Sequence, residues 1–233
     1  MICKTEAIVF AAFDYGDSSK IVHLYTADHG RRAFLVPAAK RKRMVYFQPF
    51  SILEIVYYQK EGRDLQKITE SSFHQILPNL TTHPVRLALA SLLLEILKAT
   101  LHEEEPNPPL FQFVIQSFCG LDSLSSGLYA FTMHRLVHVT KFLGFLPLIK
   151  ANDLTLPVRF LPEEGWIISS ETEDAAHRFF LNLLLANETD CLSLRLSKEH
   201  RSYFLGLLLR FYQLNTASFP EIRSLAVFEE ILS

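Results

Sequence analysis

Residues Gly30 to Phe50, GRRAFLVPAAKRKRMVYFQPF, hold an alternating strand that runs out into four consecutive bases, Lys40, Arg41, Lys42 and Arg43, followed by the aromatics Tyr46 and Phe47. Pro37 cannot donate to a strand ladder, so it marks the end or the edge of that strand. Ammonium and guanidinium groups pair with phosphates and flat rings offer surfaces to bases, so the pattern suits a nucleic-acid strand as partner. It also suits a loop whose charges are merely solvated.

Working outward, TEAIVFAAF (5–13) and KIVHLY (20–25) read as strands before it, separated by the turn DYGDSS. Asp28-His29-Gly30 makes a tight connection, with Gly30 free to take positive φ. FSILEIVYY (50–58) and residues 65–69 read as strands after it, around the polar turn 60–64. Five short strands with no helical pattern among them, in roughly 70 residues, predict a small antiparallel barrel. A five-stranded Greek-key barrel is the OB architecture, which binds nucleic-acid strands across one face, and strand count alone leaves an SH3-like barrel open.

The pattern changes at Ser72. FHQILPNL (73–80) predicts a short helical turn stopped by Pro78, and Thr82 caps a helix with Pro84 in its first turn. From Val85 to Leu101 apolar residues fall on nearly every face, which demands enclosure by other helices. Further helices are expected over 110–118, 127–144, 175–186 and 198–214, the last stopped by Phe219-Pro220 before 221–232 closes the chain, with an irregular hairpin insert at about 145–171 that turns at Glu163-Glu164-Gly165. The fold class is therefore α+β: an OB-fold barrel over 1–80, then an all-α helical domain over 81–233. On the third long helix, His134, His138 and Lys141 share a side and are expected to be solvated; two histidines four apart, with no third or fourth ligand nearby, do not make a metal site.

At 49% apolar residues the 233-residue chain has ample material for a core. Its net charge of −2 is unevenly spread, +3 over residues 1–80 and −5 over 81–233, which directs any polyanion to the first third. Cys3, Cys119 and Cys191 are far apart and odd in number, so neither a disulfide framework nor a metal clamp can be written, and a reducing cytosol fits. The N-terminus does not read as a secretory signal, and the apolar run 87–101, broken by Glu95 and Lys98, falls short of the roughly 20 residues of a membrane span. Searches for phosphate-binding loops, nucleophile elbows and HExxH are empty. Glu70 is a lone carboxylate, so no catalytic residue, metal or cofactor is expected.

The ordered stretches KTEAIVFAAFDYGDSSKIVHLYTADHGRRAFLVPAAKRKR and QPFSILEIVYYQKEGRDLQKITES, and more diffusely YAFTMHRLVHVTKFLGFLP with the EEGW turn behind it, resemble the RecO family of bacterial recombination mediators. The resemblance is strongest over residues 4–72. It implies an OB-fold that binds single- and double-stranded DNA and a helical domain behind it. It also implies strand annealing, binding of RecR, and binding of the acidic tail of the single-strand-binding protein so that RecA can load, in the bacterial cytoplasm at the nucleoid. Many members carry a four-cysteine zinc module after the Gly-Phe pair, here Gly144-Phe145. The corresponding stretch here, 146–170, contains no cysteine, so packing by Leu154, Leu156, Phe160, Trp166 and Ile167 is expected to hold it.

On this reading Lys40, Arg41, Lys42 and Arg43 contact phosphates and Lys20, Arg31 and Arg32 support them from adjacent strands. Tyr46 and Phe47 are the stacking candidates, at least one of them expected in the core. Arg135 and Lys141 are the candidates for the basic rim of a pocket for the acidic, apolar-ended tail. Two rivals are an adaptor whose barrel holds a protein partner and makes no DNA contact, and a nuclease, which would need clustered carboxylates for metal ions.

Overall fold

A computed structural model of the chain describes every residue except 17–18, 38–44, 61, 63–64, 103, 151–152, 154–155, 170–173 and 233, and of 229, 231 and 232 the backbone alone. Lys40, Arg41, Lys42, Arg43 and Leu154 therefore lie outside the described residues. The chain groups into two units, Met1–Thr81 with Leu101–Asp122, and Thr82–Thr100 with Ser123–Ser233.

In the first unit, β1 (Ile2–Tyr15), β2 (Ser19–Thr26), β3 (Gly30–Pro37), β4 (Ile52–Tyr58) and β5 (Leu65–Gln75) close a barrel in the order β1-β2-β3-β5-β4. β3 and β5 run parallel, Ala33 to Leu35 opposite Leu65 to Lys67, and the other neighbours are antiparallel. That order with a parallel closure is the OB Greek key, which decides against the SH3-like alternative. Gly30 takes φ 60° in the β2–β3 turn, where Thr26 Oγ1 donates to its carbonyl at 2.9 Å and accepts from the His29 amide. A residue with a Cβ is strained in that conformation.

The barrel interior is filled by Val9, Val22, Leu24, Phe34, Val36, Phe47, Leu53, Ile55, Tyr57 and Ile68. Residues 45–47 form a 3-10 turn that delivers Phe47 into this core, with Phe34 and Tyr57 edge to face at 5.1 Å. β1 is buried at every position from Ala7 to Ala11, so its outer face is covered too. The cover is the helix α3 (Pro108–Ser123): Phe10 stacks on Tyr25, Tyr25 meets Phe111, and Phe50 meets Phe118, at 5.7, 6.0 and 5.7 Å. The sequence boundary at residue 80 put α3 with the helices; in the structure it groups with the strands.

β5 runs past the expected end at Thr69 to Gln75, pairing Ser72 with Glu54 and Phe73 with Leu53. This overturns the helical turn expected from Ser72. The β4 edge satisfies the backbone there, and helix is confined to α1 (Pro78–Thr82).

The second unit is built on α2 (Pro84–Thr100) and α4 (Leu128–Phe142), with α5 (Ala175–Leu185), α6 (Lys198–Asn215) and α7 (Ser224–Leu232) around them. The Glu95 carboxylate on α2 accepts from the amide and hydroxyl of Ser224 at 2.9 and 3.0 Å and so caps α7. The fully buried Tyr212 on α6 donates to the Leu136 carbonyl at 2.6 Å.

Strands β6 (Val158–Leu161) and β7 (Gly165–Ile168) form the hairpin expected around Glu163-Glu164-Gly165. It is held by rings. Phe160 is wholly buried against Trp166, Phe180 and Phe211 at 5.2, 4.6 and 5.1 Å, and Trp166 Nε1 donates to Pro147 O at 2.9 Å. His177 accepts from the Phe160 amide at 3.2 Å and bonds Tyr203 through its other nitrogen. Leu156, expected in this packing, is 40% exposed. With no cysteine in the stretch and rings filling its interior, the residues do not fit a zinc module.

Candidate nucleic-acid interface on the barrel

Of the residues expected to meet nucleic acid, the strand cations are not brought together. Ser19 pairs with Pro37, so Lys20 stands at the barrel end where the chain leaves β3 for residues 38–44. Its ammonium is 2.9 Å from the exposed Asp14 carboxylate. Arg31 and Arg32 lie five or six residues back along β3, roughly 16–20 Å away at the rise of a strand. Arg31 donates to the Leu101 carbonyl at 3.0 Å and lies 3.3 Å from His102 Nδ1; burial holds its pKa below the ordinary value. It ties the barrel to the chain leading into α3.

Arg32 opposes Leu24 on the inward register, and its Nε is buried with no hydrogen-bond partner. Beside it, His29 meets Tyr57 edge to face at 5.9 Å. Burial, and then the Arg32 charge, lower the His29 pKa; burial, with Cys3 second, pushes the Tyr57 hydroxyl up to about 12. Arg31 and Arg32 are thus engaged at the end of the barrel away from Pro37, where the chain leaves β3; residues 40–43, which they were expected to support, lie outside the described residues.

The two stacking candidates separate. Phe47 is 1% exposed in the core and has no face to offer a base. Tyr46 is half-buried against that core and meets Phe73 edge to face at 4.7 Å. Phe73 and Ile76, 37% and 67% exposed, border a cavity of about 150 Å³ together with Pro49, Phe50, Leu77 and Pro78.

Sequence reasoning missed Phe73 by reading it as helix, and it missed Phe13 and Tyr15. Both of these rings are 55% exposed on β1 beyond the register shift between Val9 and Ala11. Strand periodicity carried through the DYG turn would have placed Ala11, Phe13 and Tyr15 on one outward face.

On α4 the expected solvated face is buried at His134, half-buried at His138 and exposed only at Lys141. Arg135, a candidate for the tail pocket, is 2% exposed, ion-paired with the Glu188 carboxylate and set 4.9 Å over the Phe131 ring, so it cannot meet an incoming peptide. Lys141 is exposed. The His134 and His138 rings lie 4.1 Å apart, each with Nε2 at 3.0 Å from a backbone carbonyl, of Ala186 and Leu183. A carbonyl only accepts, so both rings carry their proton on Nε2. Burial, then the His138 charge, push the His134 pKa down to about 4; burial also lowers that of His138.

Among the described residues, no group of three or more His, Cys, Asp or Glu is placed to hold a metal ion, and no helix is long and apolar enough to cross a membrane.

With this geometry in hand, the family descriptions agree with it. Residues 1–77 match the family model described as Recombination protein O N terminal, and residues 82–151 match Recombination protein O C terminal. The chain is 30% identical over 240 aligned positions to the DNA repair protein RecO of Christiangramia forsetii, covering 99% of both chains. It is 29% identical to that of Phocaeicola vulgatus and 30% to that of Flavobacterium johnsoniae, each over the full length of both chains. An OB barrel followed by helices, matched end to end by such relatives, places this chain in the RecO family of DNA repair proteins.

Proposed function

We propose that this chain is a non-enzymatic mediator of DNA repair and recombination in the bacterial cytoplasm. Its barrel unit binds single- and double-stranded DNA, and complementary strands partly neutralised on that unit approach and anneal. With RecR, and through the tail of single-strand-binding protein, it opens coated strands to RecA. The observation that carries the reading is the closed OB barrel whose β3–β4 connection, between Pro37 and Ile52, contains Lys40, Arg41, Lys42 and Arg43. Recognition is largely independent of sequence, since point charges and π faces read no base edges.

An acidic tail with an apolar end needs an apolar seat beside a base. Lys141 keeps that candidacy, and a groove of about 470 Å³ lined by Leu209, Phe219, Pro220, Ile222 and Leu225, with the exposed Arg223 on its wall, fits the chemistry. The experiment is annealing of complementary oligonucleotides coated with single-strand-binding protein, with intact and with tail-less coat. Faster annealing that depends on the tail supports the reading. No DNA binding at low salt sinks it in favour of a protein-holding adaptor, and strand cleavage in magnesium would sink it in favour of a nuclease.

A further inference from the structure

At the β2–β3 turn the barrel ends in a cation turned inward. Arg32 stands in the inward register of β3, two residues before the core residue Phe34, and faces Leu24 across β2. A charge drawn inward normally keeps a partner, because leaving water costs it its hydration. Among the described residues Arg32 forms no ion pair, and its Nε is buried with no hydrogen-bond partner.

A second donor beside it is also unmet. Tyr57 is wholly buried, its ring edge to face against Phe34 at 5.1 Å and against His29 at 5.9 Å, and its hydroxyl has no hydrogen-bond partner. The Arg32 charge acts on both the His29 ring and the Tyr57 hydroxyl, so the three groups stand together. Their polar neighbours are engaged elsewhere. The Cys3 sulfur, opposite Tyr57 on β1, donates to Gln59 Oε1 at 3.2 Å and is only a weak acceptor. Gln66, opposite Phe34 on β5, spends its amide on the Lys60 backbone at 2.9 and 3.0 Å. The exposed Asp28 acts on His29 and Tyr57 through its charge.

A guanidinium, a phenol and an imidazole therefore meet from β3, β4 and the turn between β2 and β3. Buried donors without acceptors, grouped at a half-exposed position, are the chemistry of an anion site. A small oxyanion brings several acceptor oxygens and the charge that matches a guanidinium fork. A cation or an apolar ligand brings neither.

We propose that this end of the barrel binds a small oxyanion of the phosphate type, held by the Arg32 guanidinium and the Tyr57 hydroxyl with His29 at the entrance. The site does not depend on the DNA-binding reading. It lies at the end of the barrel away from Pro37, and its buried donors admit a single tetrahedral group and not a continuous backbone. Free phosphate and the terminal phosphate of an oligonucleotide present that same group.

The test is calorimetric titration of the full chain with inorganic phosphate at constant ionic strength, chloride being the balancing anion. The unaltered protein binds, and its thermal midpoint rises with phosphate as a ligand of the folded state requires. Arg32→Gln loses the binding, and Arg32→Lys, which keeps the charge without the fork, weakens it. Tyr57→Phe weakens it about tenfold, as the loss of one hydrogen bond to a charged group should. Without phosphate the Tyr57→Phe midpoint equals or exceeds that of the unaltered protein, since the variant removes a buried hydroxyl that has no partner and keeps the ring.

Binding that survives Arg32→Gln overturns the site. So does an unaltered protein that takes up no phosphate, which leaves these donors to water. A Tyr57→Phe midpoint well below that of the unaltered protein without phosphate shows a partner within the chain and overturns the role of the hydroxyl. Preference for an oligonucleotide with a terminal phosphate over one ending in a hydroxyl, lost in Arg32→Gln, supports the site with a strand end as the source. Equal affinity for the two, beside uptake of inorganic phosphate, supports it with free phosphate as the source.

Discussion

Phe47 and Tyr46 are neighbours in sequence with opposite surroundings, one sealed in the barrel and one half-covered against Phe73. Composition and spacing cannot tell them apart, because a 3-10 turn rotates successive side chains by about a third of a circle and only the packing decides which turns inward. Phe47→Ala leaves a cavity among Leu24, Phe34 and Ile55 and is expected to lower stability by about 3–5 kcal/mol, read as an earlier urea midpoint. Tyr46→Ala costs far less. The paired histidines of α4 give a second residue-scale expectation. His134 and His138 both titrate below the ordinary value of 6.5, His134 at about 4, chiefly through burial, with Arg135, Lys141 and Glu188 as the charged groups facing them. The unfolded chain therefore binds more protons between the two values, so stability is complete above about pH 6.5 and falls as pH drops towards 4. His134→Gln keeps a donor for the Ala186 carbonyl and removes the titration, so thermal midpoints measured across that window should vary less with pH. The side carrying His134, His138 and Lys141 was read as solvated because those residues are polar, and Arg135 beside them as the rim of a pocket. Carbonyl partners and an ion pair satisfy them in the interior, and partners contributed by residues 183–188 cannot be seen from α4 alone.

Among elements, the β6–β7 hairpin is held by packed rings. Its turn was legible from Gly165 and its flanking apolar runs, and Phe160 and Trp166 were legible as packing residues. Their partners Phe180 and Phe211 were not, because they come from α5 and α6. The ring cluster and the His177 bond to the Phe160 amide fix the hairpin on the second unit, so Phe160→Ala is expected to cost about 3–5 kcal/mol. A chelator should leave the thermal midpoint of the unaltered protein where it was. A midpoint lowered by chelation would show a metal holding this segment. β5 teaches the complementary lesson: residues 72–75 carry no strong strand pattern, and four of the last five residues of the strand are exposed, yet pairing with β4 extends it. Local propensity loses there to a neighbouring strand edge that needs partners.

At the scale of the whole molecule, alternation and turn residues revealed the five strands, since each is a local pattern. Closure was beyond them: the parallel pairing of Ala33 to Leu35 with Leu65 to Lys67 joins segments about thirty residues apart, and strand count is indifferent to it. The charge split was legible too, but clustering was not. Lys20 stands at the end where β3 leaves the barrel, whereas Arg31 is bound to the Leu101 carbonyl and Arg32 is turned inward at the other end. This separates two kinds of cation that sequence treats alike, and a salt titration distinguishes them. Neutralising Lys40, Arg41, Lys42 and Arg43 together should flatten the log affinity against log salt slope for single-stranded DNA by up to about 2.8, at roughly 0.7 per phosphate contact, with the thermal midpoint unchanged. Arg31→Gln should do the reverse, lowering the midpoint through the lost anchor to residues 101–102 and leaving the slope alone. Equal slopes from both variants would place the polyanion at the β2–β3 turn, and a slope unmoved by the first would leave those four charges to solvent.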